Sequence, residues 1–433
     1  MMKLSRRYVI AAAATVTVFY MFDTQMLAPV LPTYARELGA APFLVGIIMG
    51  FTSITNAAGN VVFGRMSDLK GRRLPLTIGF LGVAASVLLY SLATMPLYLV
   101  AMRLVHGFFS GATGPCTAAI LADLAPPQRR GAYMGIWGMS VSIGVTISSA
   151  LAGFLSAAYG YFSVFLTIAI VCVLASIIIW TLIPETRPLK ESSTDKDATG
   201  MPAKPNLTSI LKRKNVLFAC LGILSLYWLL GTIVVTFSEY LKELKTAELL
   251  KPDPKITLGI LLSVFGLAAV MLNYPFGRLA DAIGRKYPII AAFFMLSAAP
   301  LLISNPSIPL IVIAWIVTWS ISASIIWPTL LALLTDELAP HERGAGLGIF
   351  MVALMVGTGV GMPVMGAIEG AIGTAAAIKT AAVFPIATFI ISWFLRPKSI
   401  ERGKFGARLM IIMAVFFAIL IASSYPLIQF LQT

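Results

Sequence analysis

The chain is poor in charge and in cysteine and has no phosphate-binding loop, and each shortage narrows what it can be. Only 12% of its 433 residues are Asp, Glu, Lys or Arg, against about 25% in ordinary soluble domains, so a soluble globule is excluded. Its three cysteines, Cys116, Cys172 and Cys220, all fall inside apolar stretches, which argues for free core thiols and against a disulfide framework or redox chemistry. No GxxxxGK[ST] loop occurs, so no ATP site is expected. No enzyme activity, cofactor or metal is expected either.

Apolar residues are abundant: 58% of the chain is hydrophobic. Stretches long enough to cross about 30 Å of hydrocarbon recur near 8–31, 43–63, 75–93, 96–121, 132–156 and 161–183. A second set lies near 215–239, 256–276, 288–304, 308–334, 344–368 and 374–395. Runs this long without period-two alternation predict helices and exclude a barrel. The expected fold is therefore an all-α polytopic membrane protein.

Net charge is +14, yet its placement argues against nucleic acid. Of the Lys and Arg residues, 25 lie at the amino-terminus, in the loops after even-numbered spans and after span 12, against five on the opposite side (Arg36, Lys242, Lys245, Lys251 and Lys255). The bias predicts a cytoplasmic amino-terminus and contact with anionic lipid. Phe22, Asp23, Gln25 and Met26 follow the first apolar run where small residues would precede cleavage, so that run reads as span 1, not a signal peptide. Short loops suit a prokaryotic plasma membrane.

One constant offset, 213, relates the two halves. GRMSDLKGRRLP at Gly64 returns as GRLADAIGRKYP at Gly277, and ADLAPPQRRGAYMGI at Ala122 as TDELAPHERGAGLGI at Thr335. Duplicated bundles that rock about a central site are a common transporter plan. The expected organisation is a six-helix bundle over 1–183, a polar mobile linker over 184–214 and a second bundle over 215–396, related by pseudo-two-fold symmetry. Beyond it come a basic segment and an extra apolar helix over 397–433. Its run from Leu409 to Ile428 reads as a thirteenth span, with an interfacial helix as the alternative. The loop from Glu239 to Lys255, with balanced charges, reads as solvated or as a short amphipathic helix.

The repeated Gly-Arg-x-x-Asp-x-x-Gly-Arg pattern resembles the signature of the major facilitator superfamily. From the residues themselves, Gly64 and Gly71 permit tight turns, Asp68 can face a helix N-terminus, and Arg72 is a donor fork for carboxylates, Asp123 foremost. The resemblance implies a cytoplasmic gate built from Gly64, Arg65, Asp68, Gly71, Arg72 and Asp123, and again from Gly277, Arg278, Asp281, Gly284, Arg285 and Asp336. Lys70, Arg73 and Lys286 read as topology charges with no fixed partner.

Within the spans, Asp23 and Arg103 are the costliest ionisable groups and functional candidates. They lie at similar depth, so a pair is possible. Burial favours a neutral carboxyl and a nearby cation the charged form, so protonation can follow the gap between them. FDTQMLAPVLP at Phe22 and RLVHGFFSGA at Arg103 are similar to motifs of the twelve-span drug/proton antiporters, with His106 where Gln is usual. That likeness implies proton coupling by Asp23 and Arg103; the alternative is a buried ion pair that only ties spans 1 and 4 together. His106 reads equally as a relay or as a packed histidine. Span 5 departs from the antiporter pattern, with Ser148, Ser149, Ala152 and Gly153 where a Gly-Pro step is usual, which raises uptake by symport.

The offset sets Asp23 on Thr236, Arg103 on Ile316 and His106 on Trp319. The family resemblance places spans 7 and 10 beside a central cavity with spans 1 and 4, and so implies that Tyr227, Trp228, Thr232, Thr236, Trp315 and Trp319 line a substrate cavity suited to apolar, aromatic or cationic molecules, with lipid-facing tryptophan as the alternative. Lys379 is expected to snorkel and Glu369 and Glu239 to sit at the outer rim. Together these readings predict a monomeric secondary carrier of a small molecule and protons, exporting by antiport. The alternatives are a symporter for an organic anion and a non-transporting sensor or lipid-binding scaffold.

Overall fold

The computed structural model describes residues 6–126, 129–186, 207–246, 253–302, 309–339 and 342–395. Among the described residues every regular element is a helix. The first half comprises α1 (Arg6–Gln25), α2 (Leu31–Glu37), α3 (Pro42–Lys70), α4 (Arg73–Leu89), α5 (Pro96–Ser110), α6 (Thr113–Leu124), α7 (Arg130–Tyr159) and α8 (Tyr161–Leu182). The second comprises α9 (Leu207–Leu211), α10 (Lys214–Thr246), α11 (Pro254–Ile283), α12 (Lys286–Leu302), α13 (Pro309–Glu337), α14 (Arg343–Gly359), α15 (Gly361–Ile372), α16 (Thr374–Thr380) and α17 (Val383–Ser392). Taking α5 with α6, α14 with α15 and α16 with α17 as single spans, 10 helical segments among the described residues are long and apolar enough to cross a membrane. Two more expected spans fall on α1, which carries Asp23, and on α12, a shorter apolar helix. The protein is thus all-α and polytopic. The proposed thirteenth span and residues 187–206 of the linker lie outside the described residues.

The offset of 213 persists in the backbone. Both ends of α4 and α12 obey it, and so do the left-handed glycines that stop helices: Gly71 and Gly284 have φ of 93° and 91°, Gly160 and Gly373 of 78° and 84°. A side chain would strain these positions, so glycine there defines where one span ends and the next begins. Gly64 and Gly277 differ from expectation, since both lie inside helices, α3 and α11, and make no turn.

Helix breaks are where the halves part. α1 ends at Gln25, before a turn over 26–30, whereas its counterpart α10 is continuous; α5 gives way to α6 after Ser110, whereas α13 runs through. In the other direction α7 is unbroken and its counterpart divides into α14 and α15. Asp23 and Ser110 both sit beside breaks peculiar to the first half.

The chain forms two compact units, residues 1–199 with 252–267, and residues 200–251 with 268–433. In the first unit small residues let backbones meet. A Cβ on Gly111 would lie 2.6 Å from the Asn56 carbonyl oxygen and 2.7 Å from the Asn60 nitrogen of α3, and one on Gly153 2.6 Å from the Lys255 carbonyl oxygen. Residues 254–267, assigned from sequence to the second bundle, accordingly pack on α7, where Ser263 Oγ donates to the Thr146 carbonyl at 2.7 Å. Close approach of this kind replaces the hydrophobic drive that lipid removes between helices.

Replacing Gly111 with leucine should therefore force α3 from α5 and cost about 2 kcal/mol or more. Gly135→Ala, which meets nothing within 4 Å, should be neutral or stabilising. Thermal unfolding in detergent checks both; equal midpoints for the two variants would remove this contact from the account.

Candidate functional site

Polar clusters interrupt the apolar spans and their ends. The deepest lies in the first unit. Asp23 has no exposed surface, and its Oδ2 accepts a hydrogen bond from Ser110 Oγ at 2.6 Å. Thr24 also neighbours the carboxyl, whose Oδ1 makes no aligned hydrogen bond. Arg103, on α5 and also buried, donates through Nε to the Ile48 carbonyl at 3.1 Å and approaches His106 Nδ1 with Nη1 at 3.3 Å. Tyr90 Oη lies 2.7 Å from the same Nδ1, and the Tyr90 carbonyl accepts from Tyr34 Oη at 3.0 Å.

Asp23 and Arg103 thus share one buried cluster. Among the described residues no direct ion pair joins them, because Arg103 is turned to the Ile48 carbonyl and His106; its charge reaches Asp23 as a field. Sequence reasoning missed Ser110 and Tyr90. Ser110 is one turn beyond His106 on the same helix face, so helical spacing from His106 was the signal that could have found it.

At the loop end of the first unit, Arg72 bridges three oxygens: Nη1 meets Asp68 Oδ1 at 2.7 Å and Ser67 Oγ at 2.9 Å, and Nε meets Asp123 Oδ2 at 3.1 Å. Partial burial lowers the guanidinium pKa, and the bonds and charges of Asp68 and Asp123 more than offset it, leaving a net upward shift. The second unit repeats the arrangement, with Arg285 on Asp281 and, at 3.3 Å, on Asp336. Arg65 and Arg278 are exposed, and Arg278 stacks on Tyr274.

Arg73 departs from expectation. Its guanidinium donates to the Ile183 carbonyl and lies over the Trp180 ring, so it has a fixed partner. Glu185, expected in the mobile linker, accepts the Arg72 and Arg73 amides at 2.6 and 3.3 Å. A carboxylate on the first amides of α4 satisfies donors that helix geometry leaves unpaired. At the opposite end Tyr161 donates to Glu37, and Lys255 Nζ stands 4.2 Å from the Tyr161 ring centroid. Thr374, offset by 213 from Tyr161, donates to Glu243 at 2.7 Å.

The expected aromatic wall is packed in this structure. Trp315 and Trp319 have no exposed surface; Phe237, Trp315 and Trp319 stack in sequence with centroids 4.6 and 6.0 Å apart. Thr232 and Thr236 bond to carbonyls of their own helix, and Trp228 packs on Phe384 at 4.5 Å. Tyr227 faces Trp327 and is half-buried. Glu369, one turn from the end of α15, is buried, while Lys379 is exposed.

Against known proteins, the profile described as Major Facilitator Superfamily matches residues 13–250 and 253–407. An uncharacterised MFS-type transporter of Methanocaldococcus jannaschii is 24% identical over 376 residues, 86% of this chain and 94% of its own. The multi-drug resistance efflux pump PmrA of Streptococcus pneumoniae is 25% identical over 292 residues, 66% of this chain and 70% of its own. In fold, the chain is similar to the crystal structure of a bacterial homologue of the human lysosomal transporter Spinster, inward-facing and occupied, with a TM-score of 0.74, 13% identity, and coverage of 91% of this chain and 97% of that one.

A double-mutant cycle tests the gate pair. Arg72→Gln and Asp123→Asn should be non-additive by about 1 kcal/mol in unfolding free energy, a partly exposed pair being worth that much. Additive losses would mean that the two side chains are neighbours without being coupled.

Proposed function

We propose that this chain, which belongs to the Major Facilitator Superfamily, is a proton-coupled carrier exporting a small apolar, aromatic or cationic molecule by alternating access. The observation that carries the proposal is the Asp23 carboxyl, wholly buried in a membrane-crossing unit and held by one hydroxyl within the field of Arg103. A carboxyl placed so is expensive to keep unless its protonation is used. Asp23 takes a proton from one side and yields it as its surroundings change; the Arg72 and Arg285 clusters, one in each unit, serve the gate that the charge bias places in the cytoplasm. Similarity to the efflux pump PmrA supports export.

Uptake by symport is the second reading, favoured by the unbroken course of α7 through Ser148–Gly153. Here Arg103 would attract an organic anion.

Protein in liposomes with an imposed pH gradient separates the two, with ethidium as a cationic aromatic probe. Export by antiport predicts opposed proton and ethidium fluxes, with coupling lost in Asp23→Asn while the variant remains folded. Fluxes in the same direction would overturn antiport, and unchanged coupling in Asp23→Asn would remove the residue from the mechanism.

A further inference from the structure

The contacts of His106 determine where its proton sits. Nδ1 faces Arg103 Nη1 at 3.3 Å and Tyr90 Oη at 2.7 Å. A guanidinium has donors and no acceptor, so Nδ1 must be the accepting nitrogen, Tyr90 donates to it, and the ring proton rests on Nε2. That nitrogen is fully buried and finds no acceptor among the described protein atoms. Asp23 Oδ1, equally buried, makes no aligned hydrogen bond. Ser110, whose hydroxyl holds the other Asp23 oxygen, follows His106 by four residues, so their Cβ atoms stand roughly 5–6 Å apart on one helix face. A buried water persists where two or more polar groups hold it.

We propose that Tyr90 and Arg103 fix His106 as the neutral Nε2–H tautomer, and that this N–H holds a water molecule against Asp23 Oδ1. The water accepts from Nε2–H and donates to the carboxylate; when Asp23 gains a proton on Oδ1, the water turns to accept from it. His106 is therefore a positioning residue that stays neutral while Asp23 changes state. The proposal rests on the proton-coupling reading of Asp23. The other titratable groups around that carboxyl are Arg103 on α5, Tyr90 in the turn after α4 and Cys172 on α8.

Magnetic resonance on the full chain, with labelled histidine and aspartate, reads the arrangement without a substrate. His341 is the only other histidine, so His341→Gln leaves one imidazole to observe. The expected spectrum has protonated Nε2 and bare Nδ1, with an Nε2 signal that moves as the Asp23 carboxyl titrates and no longer moves in Asp23→Asn. Tyr90→Phe should weaken the tautomer preference. His106→Gln, whose amide N–H can occupy the Nε2 position, should keep the wild-type pH profile of transport, and His106→Leu should shift it. A proton on Nδ1, or an imidazolium, would overturn the proposal whatever Asp23 does. An Nε2 signal indifferent to a titrating Asp23 would overturn the water link. An Asp23 carboxyl that does not titrate would overturn proton coupling, and the link with it, independently of the tautomer.

Discussion

A carboxyl group with no exposed surface, inside a helix bundle that crosses hydrocarbon, obliges its neighbours to answer it. Bulk solvent is out of reach, and an unpaired charge there costs several kcal/mol or more. Much of the interior of the first unit is arranged around that obligation. Ser110 stands at the end of α5 to reach Asp23, and the break before α6 follows at once. Arg103 is aligned by the Ile48 carbonyl and by His106, which is itself held by Tyr90. Tyr34 then fixes the turn that carries Tyr90. The second unit has Thr236, Ile316 and Trp319 at the corresponding places, and fills them with helix-bonded hydroxyls and stacked rings.

Duplication explains why the two arginine clusters match so closely. Each needs a left-handed glycine to turn the chain, an arginine just after it, and two carboxylates one helix turn behind and at the end of a neighbouring helix. None of these requirements depends on what the carrier transports, so both copies have kept them. The interior of each unit is free to diverge, and there one copy has become ionisable and the other aromatic.

The helical spans, the repeat and both arginine–carboxylate triads were legible because they rest on local rules: hydrocarbon excludes charge, left-handed turns need glycine, and a guanidinium needs oxygens. What stayed hidden depends on contacts between distant segments. Gly111 looks like any other glycine in a span, and only its fit against Asn56 and Asn60 gives it meaning. Glu185 reads as part of a polar linker until α4 presents its first amides. The spacing of Trp315 and Trp319 suits a cavity wall or a lipid-facing stripe, and only the three-dimensional fold shows both rings buried, with Phe237 stacked on Trp315. Asp23, Arg103 and His106 were visible as costly polar groups in the spans, but that Ser110 bonds the Asp23 carboxyl while Arg103 turns to Ile48 and His106 depends on how the helices pack.

The central claim is that the Asp23 carboxyl exchanges its proton as the carrier binds its substrate. Its most direct test is proton release from purified protein in weakly buffered detergent on addition of a transported aromatic cation such as ethidium. The account predicts release by the wild type and none by Asp23→Asn at equal occupancy. Equal release by both proteins would contradict it.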